Sequence, residues 1–541
     1  MSKSKISTCL IVVGFAVGCV EKADFAAERA KRSAAFMNEV PKYSLDTTRR
    51  VFSLKDCVDI SLTNSLEVQI KQLSEQITKE QKEGNLYAML PSMSLSARNS
   101  ARSNDSGGTS MGIDDKKQSL RPSTSSDRDT WTTRGELAWS TLDFGLAYMK
   151  HMKLDDQMEQ GRIDTEKAAQ DLRFRVTQAY FSAAAALSFM QNTSKHMKRC
   201  EEALVRLEKG ADQADPSEII RLKKEFKGMR LQLREYERSF KNHSLNLSSL
   251  MGVVPVDDMK VDTTPFERFR TEAKLPFKLP AYNELLKTAL LNRDELRTND
   301  VNRHLTEIAK NEKFISLFPN VKLFAAHNWD SNSFLYNQSW TEIGASAMMD
   351  VMKIPALQKE LKANGLEGIA LQYKEAALSM AVMAQLSIAL NNMEEVKERT
   401  QYQSDLYDLS VKDRDLMVGK AKQGVANDLL LAEKELQLAM SEMDRTTAIG
   451  NLYVAYYRVL TTCACVEMPL PTDGSVAMYD RDSRNRIFHN DAPGLNRGLK
   501  AGLGQYLPPL PEQEPTATTG LRPTRESRSG IIQATDKPYE Y

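Results

Sequence analysis

Residue types that could support catalysis are present, but they do not form a recognisable constellation. The sequence has no phosphate-binding G-x-x-x-x-G-K-[ST] loop and no H-E-x-x-H zinc motif. The six histidines are scattered, and each is expected to be a surface or packing residue: His151, His196, His243, His304, His327 and His489. We therefore predict that the protein is not an enzyme and holds no cofactor or metal.

The cysteines indicate export rather than metal binding. Lys3 and Lys5 precede an apolar run from Cys9 to Val17, which is typical of a bacterial export signal. The segment Ala16-Val17-Gly18-Cys19 resembles a lipobox, so Cys19 is predicted to be acylated. The alternative is an ordinary cleaved signal in which this cysteine is incidental.

The other cysteines do not have the spacing of a zinc site. Cys57 and Cys200 are isolated, and the pair Cys463 and Cys465 has no second pair to complete a tetrahedral site. A disulfide within that pair would close a strained small loop. Pairing of either cysteine elsewhere stays open.

Overall charge and hydropathy limit the partners. The chain has 73 basic and 72 acidic residues, which gives no reason to expect nucleic acid as a partner. Mean hydropathy is −0.46 and no run of about 18 apolar residues is present, so a membrane-spanning helix is not expected. Short alternating transmembrane strands remain compatible with this composition.

An internal repeat organises the chain. Pro91 and Pro319 lie 228 residues apart, and the same offset relates Leu62 to Leu290 and Glu67 to Glu295. An offset of 209 pairs Trp131 and Gly135 with Trp340 and Gly344. A repeat at a fixed offset indicates that the same structural unit occurs twice, so it takes precedence over short motifs in predicting the fold.

Each repeat is predicted to contain a helix, two strands, a long helix, a turn and a final helix. The first helix opens at the N-cap Ser53 and ends at Pro91, and its counterpart runs from Tyr282 until Pro319 stops it. Period-two alternation predicts strands at 92–102, 131–142, 320–329 and 338–350. Residues 103–130 are predicted to be a long exposed loop.

The predicted boundaries follow from these elements. They are 1–19 for the export signal, 20–50 for an N-terminal tether, 51–252 for the first repeat, 253–278 for a linker, 279–462 for the second repeat and 463–541 for a disordered tail. Gly210 and Gly424 are predicted to mark the turns between the long and final helices.

Several motifs resemble those of one family when taken in order. They are Ser53-Leu54-Lys55-Asp56 with Leu62-Thr63-Asn64-Ser65-Leu66-Glu67, Leu90-Pro91-Ser92-Met93-Ser94-Leu95, Trp139-Ser140-Thr141-Leu142-Asp143-Phe144-Gly145, and Gly424 followed by Ala432-Glu433-Lys434-Glu435-Leu436. Over about residues 50–462 the chain resembles the TolC-type outer-membrane efflux proteins.

The resemblance implies a mainly α fold with a β-barrel portion. Each protomer of a homotrimer would give four strands to a 12-stranded barrel in outer-membrane lipid, and its coiled-coil-like helices would join a hollow α-helical barrel in the periplasm. It also implies a passive conduit for efflux or type I secretion, with a periplasmic adaptor and an inner-membrane pump as partners. Closing the strands by symmetry would leave no unpaired edge in lipid.

The resemblance also assigns roles near the helical turns. Pro91 and Pro319 would be the helix-to-strand junctions, and Glu218 and Asp428 would be acids lining the pore at the periplasmic gate. A further family acid falls at Leu431, and the gate-bond positions correspond roughly to Ala421 and Ala426. The alternative for both acids is favourable placement at a helix N-terminus.

A second function stays open at this point. A structural coiled-coil lipoprotein of the outer membrane could keep the fold without exporting anything. The Pro- and Arg-rich tail, the long loop 103–130 and the missing second acid favour that alternative.

Overall fold

The computed structural model describes residues 24–40, 44, 50–119, 121–209, 216–272, 279–422 and 428–464. The predicted export signal with Cys19, the turn residues Gly210 and Gly424, and all but the first two residues of the predicted tail lie outside these ranges. The chain divides into two compact units, of which one comprises 1–43 with 489–541 and the other 44–488.

Helix α1 (Phe25–Glu39) lies in the described part of the first unit. The side chain of Asp24 caps it by accepting hydrogen bonds from the backbone N–H groups of Ala26 and Ala27, at 3.1 and 3.2 Å. The predicted tether 20–50 therefore contains a regular helix, because a good N-cap precedes an alanine-rich segment.

The larger unit contains two halves with the same order of helices. The first half has α2 (Leu54–Asn64), α3 (Leu66–Tyr87), α4 (Thr141–Lys209) and α5 (Pro216–Leu250). After α6 (Thr264–Glu272), the second half has α7 (Tyr282–Asn292), α8 (Asp294–Ile315), α9 (Ile354–Lys422) and α10 (Asp428–Thr462). In both halves the four helices have 11, 22, 69 and 35 residues.

The first helix of each half is broken, although the sequence analysis predicted it to be continuous. Ser53 caps α2 through a capping box with Asp56, as expected, but Ser65 leaves the helical region with ψ at 111°. Its side chain then accepts from the backbone N–H of Val68 and caps α3. In the second half Arg293 makes the same break with ψ at 132°. Apolar periodicity did not reveal either break because it continues across both.

Four antiparallel strands form one sheet in the order β1 (Ser92–Ala101), β4 (Asp129–Ser140), β5 (Asn320–Asp330) and β6 (Ser339–Met348). Their ends lie within two residues of the predicted ones. The loop 103–130 is not wholly irregular, because β2 (Gly107–Gly108) pairs with β3 (Ser123–Thr124) inside it. Strand β4 ends where the Ser140 hydroxyl accepts from the backbone N–H of Asp143 and starts α4.

The predicted linker 253–278 is partly folded into the core. Phe266 of α6 is fully buried against Phe181 of α4 and Tyr453 of α10, whose rings stack with centroids 4.7 Å apart. The Tyr180 hydroxyl donates to the carbonyl of Asp262 at 2.9 Å, and that of Tyr453 donates to the carbonyl of Pro265 at 3.1 Å. Two tyrosines, one from each half, thus fix this segment to the aromatic core.

Within the described residues, one helix is long and apolar enough by composition to cross a membrane. It is the segment Val351–Lys420, which includes α9 as far as Lys420, and only 17% of its apolar stretch is buried in the chain. Such a helix is not expected from the sequence, because the chain has no unbroken apolar run of this length. Residues 376–393 are uncharged but include serine, glutamine and asparagine. Length and composition alone are weak evidence for a helical span.

Candidate functional site

The sheet has two chemically different faces. Directly paired residues lie on the same face and successive residues on opposite faces. Leu95 pairs with Gly135, and Leu137 with Ala325, which pairs with Ile343. This apolar face exposes large side chains to the surroundings: Met93, Leu95, Trp131, Leu137, Leu323, Trp329 and Ile343.

The opposite face carries the charges. Arg134 pairs with Asn328, and Glu136 with Ala326, which pairs with Glu342. Arg98, Lys322 and Asp330 lie on this polar face by the same registers. Charged on one side and apolar but exposed on the other, the sheet has the alternation of strands placed between water and lipid.

The faces correct one sequence prediction. Trp131 lies on the apolar face, whereas Trp340 pairs with Asn328 and therefore lies on the polar face. The 209-residue offset is odd, so it exchanges the two faces. An even offset is needed to keep positions on the same face equivalent in a period-two strand.

Pro91 and Pro319 lie directly before β1 and β5, between the preceding helix and the strand. Both are exposed. Proline lacks the N–H needed in a helix interior and disfavours helical geometry at the residue before it, so the chain leaves α3 and α8 and turns extended. The structure places these two residues at equivalent junctions.

The helical end of the molecule lies far from the sheet. At 1.5 Å per residue, the 69 residues of α4 span about 100 Å. Glu218 is exposed in the first turn of α5, and Asp428 is the first residue of α10. They occupy the third and first helical positions, so their predicted equivalence is offset by two residues.

Near this end, one buried carboxylate connects three helices. The side chain of Glu435 on α10 is 5% exposed, and its Oε2 lies 2.7 Å from Nδ1 of His196 on α4. Its Oε1 lies 3.6 Å from Arg199 of α4 and 3.9 Å from Arg414 of α9. We call Glu435, His196, Arg199 and Arg414 the Glu435 cluster.

The electrostatics of the Glu435 cluster favour the ionised acid. Burial alone would raise the pKa of Glu435, but the hydrogen bond and charge of His196, with the charges of Arg414 and Arg199, lower it below the ordinary value. From the sequence, His196 is expected to be a surface or packing residue and not the partner of a buried acid. Its partner is 239 residues away, and no local pattern connects them.

Glu435→Gln should destabilise the folded protein at pH 7 by about 1.5–3 kcal/mol, because it removes charge-assisted bonds from a buried site. Because the pKa of Glu435 is lower in the folded than in the unfolded protein, its ionisation stabilises the fold at pH values above the unfolded-state pKa of about 4.3. This contribution disappears as the pH falls through the folded-state pKa. The difference in melting temperature between wild type and variant should therefore shrink from pH 7 to pH 3.5.

Glu433→Gln is the matched control for this prediction. A carboxylate oxygen of Glu433 lies 3.4 Å from Nη2 of Arg221 on α5. Because this ion pair is partly exposed, it should contribute less than about 1 kcal/mol to the free energy of unfolding. Equal effects of the two substitutions, or a difference that does not depend on pH, would contradict the role of the Glu435 cluster.

The described residues contain no group of three or more His, Cys, Asp or Glu side chains placed to hold a metal. Gly108-Thr109-Ser110-Met111-Gly112 has the spacing of a nucleophile motif, but it begins at the last residue of β2, continues into the exposed loop and does not lie at a strand-to-helix turn. Cys57 is buried, which raises its thiol pKa to about 12 and leaves it a poor nucleophile. Cys463 is also buried.

The fold of the chain, a four-stranded sheet joined to helices about 100 Å long, is that of solved outer-membrane channels. The chain superimposes on CusC, studied for transmembrane channel formation, with a TM-score of 0.61 and 12% identity, covering 78% of this chain and 95% of CusC. For the open MtrE outer membrane channel of Neisseria gonorrhoeae the TM-score is 0.59 at 15% identity, covering 76% and 88%.

A third similar structure is the outer membrane protein VceC of Vibrio cholerae, with a TM-score of 0.59 and 11% identity, covering 76% of this chain and 96% of VceC. No protein-family model and no curated protein sequence matches the chain. At these identities the likeness establishes the fold of the chain.

Proposed function

We propose that the protein is an outer-membrane channel through which an inner-membrane pump drives efflux or secretion. The observation that carries this proposal is the sheet, whose apolar face is exposed while its other face holds paired charges. In water such a face would be an association site, and in lipid it is the required outer surface. The fold shared with known outer-membrane channels supports the same conclusion.

The contacts between the two halves support a closed ring of chains. Helix α4 packs against α3 and α5 of its own half and also against α8 and α10 of the other half. Its counterpart α9 packs closely against α7, α8 and α10, all in its own half. If the halves are duplicates, the missing neighbours of α9 are α3 and α5 of a second copy.

The surface of α9 agrees with this arrangement. It exposes apolar side chains along its length: Leu366, Ile369, Tyr373, Met380, Met383 and Ile388. The sheet also needs a second copy of the chain. Strand β4 of the first half pairs with β5 of the second half, but β1 and β6 are edge strands. Pairing β6 with β1 of the next copy would remove both edges, as lipid demands.

We propose that three chains close the ring and form a 12-stranded barrel, in line with the resemblance described above. The long helices would continue it as a hollow barrel in the periplasm. The periplasmic adaptor and the pump would dock at the helical end, where Gly210, Gly424, Glu218 and Asp428 would border the narrow entrance. Cys19 would carry the lipid that anchors the mature N-terminus.

The experiment is a planar-bilayer measurement on the purified full-length protein. A trimer that conducts ions is expected, with Asp428→Ala reducing its preference for cations because a threefold ring of acids concentrates cations in a narrow pore. The control is Asp257→Ala, an exposed acid that lies near Lys241 and away from the turn.

The alternatives predict different results. A monomeric, water-soluble product would contradict the channel. A stable membrane trimer without conductance would favour the structural lipoprotein. Conductance with unchanged selectivity in Asp428→Ala would remove the acid ring alone.

A further inference from the structure

Four charged side chains on the polar face of the sheet form a bonded network across β4, β5 and β6. We call Arg134, Glu136, Lys322 and Glu342 the strand charge network. Arg134 Nε donates to Glu136 Oε2 at 2.9 Å, and Lys322 Nζ donates to Glu136 Oε1 at 2.6 Å. Arg134 Nη1 also donates to a carboxylate oxygen of Glu342, two strands away.

The small side chain of Ala326 makes this reach possible. In the registers, Ala326 pairs with Glu136 on one side and with Glu342 on the other. Two carboxylates thus flank one alanine, and the guanidinium of Arg134 bridges them. The planar guanidinium of Arg134 can donate to both carboxylates at once, whereas a lysine ammonium at this position would do so less well.

Arg134 is held in place by its surroundings. Asn328 Oδ1 accepts from Arg134 Nη1 at 3.0 Å, and the guanidinium carbon lies 6.0 Å from the centre of the Phe324 ring. That ring lies on Gly344 so closely that a Cβ at position 344 would be 2.5 Å from Phe324 Cζ. The glycine therefore lets the aromatic ring lie flat and support the arginine.

The charges of the network cancel. It contains two cations and two carboxylates. Among the described residues, Glu342 forms its ion pair with Arg134. Removing Arg134 would leave Glu342 without that partner and give the wall one uncompensated negative charge per chain. All four side chains are partly exposed on the polar face, so a change in their net charge would be felt in the adjacent water.

We propose that Arg134 determines the charge selectivity of the sheet-lined part of the pore, by cancelling Glu342 so that cargo of either charge sign can pass. This inference rests on the proposed function, since it requires the polar face to line a water-filled conduit. It assigns the outer-membrane half a neutral wall, separate from any acids at the helical end. Charged residues on the lumen side of barrel strands are known to adjust selectivity.

The test measures reversal potentials across planar bilayers with the full-length protein under a salt gradient. Arg134→Gln should raise the cation-to-anion permeability ratio about threefold near 0.1 M salt, where the screening length is about 10 Å, and the ratio should return towards the wild-type value near 1 M. Glu342→Gln leaves an excess of positive charge and should shift the ratio in the opposite direction.

The double variant Arg134→Gln with Glu342→Gln is the matched control. It breaks the same contacts but keeps the charges balanced, so its permeability ratio should match the wild type. Shifts in the same direction for both single variants, or a double variant that shifts as far as Arg134→Gln, would show a purely structural role and overturn the inference. If Arg134→Gln fails to assemble, Glu342→Gln tests the inference alone: a fall in its cation-to-anion permeability ratio supports the role of Arg134, and an unchanged or raised ratio contradicts it.

Failure of the proposed function has a different signature. In that case the wild-type protein itself would not conduct. A conducting wild type with unchanged selectivity in the single variants would overturn the role of Arg134 and leave the channel intact.

Discussion

Leu95→Arg is expected to prevent the protein from assembling in the outer membrane. Leu95 is 81% exposed in the chain, so it has few internal contacts to lose. In a water-soluble protein, a change at such an exposed position alters stability by less than about 0.5 kcal/mol. On the lipid-facing side of a strand, an arginine near the bilayer midplane costs about 2–4 kcal/mol, and every chain in a ring adds the same cost.

The neighbouring residue provides the control. Ser94 lies on the polar face opposite Glu136, so Ser94→Arg puts the same charge on the same strand but turns it towards water. We expect this variant to reach the membrane fraction and form the wild-type oligomer. Ile343→Arg on β6, which is 84% exposed on the apolar face, should reproduce the defect of Leu95→Arg.

Membrane fractionation and native electrophoresis of the three variants measure this effect. Normal membrane assembly of both Leu95→Arg and Ile343→Arg would contradict a lipid-facing role for the apolar face. A defect shared by Ser94→Arg would point to the strand rather than the face. The two neighbouring positions therefore separate lipid contact from strand stability.

The strands and their junctions could be predicted because their signals are local. The alternation from Ser92 to Arg98 is complete within seven residues, and the prolines at 91 and 319 each end a helix on their own. The equal helix lengths in the two halves agree with the repeat inferred from these short segments. Duplication would require the same elements twice, so errors in one half could be checked against the other.

Other features depend on contacts that no local pattern contains. The breaks at Ser65 and Arg293 keep the apolar period, so periodicity treats both as helix. Helix α6 lies in the predicted linker 253–278, and the burial of Phe266 could not be predicted because it depends on rings from α4 and α10. The partners His196 and Glu435 come from opposite halves of the chain.

The sheet shows a similar limit. Matching tryptophans suggested equivalence between β4 and β6, but the registers place Trp131 and Trp340 on opposite faces. A shift of one residue moves every side chain of a strand to the other face of the sheet. Residue identity alone therefore could not fix the alignment, whereas the alternation of apolar and charged side chains does.

Phe181→Ala should cause the largest loss of stability among core substitutions, about 3–5 kcal/mol. The side chain is 0% exposed and its ring stacks on Tyr453 at 4.7 Å, with Tyr457 at 5.7 Å and Tyr180 edge-on at 5.3 Å. Truncation removes the ring and leaves a cavity where α4, α6 and α10 meet. Because these helices belong to both halves and to the segment between them, the cavity would weaken the packing between the two halves.

Phe334→Ala is the control for this prediction, since Phe334 is exposed in the loop between β5 and β6 and should change stability by less than about 0.5 kcal/mol. Thermal melting of the detergent-solubilised proteins, followed by circular dichroism at 222 nm, measures both variants. Phe181→Leu should recover part of the loss, because it refills some of the volume without the aromatic stack. Equal melting temperatures for Phe181→Ala and wild type would contradict this prediction, because they would mean that the aromatic cluster contributes no stability to the packing between the two halves.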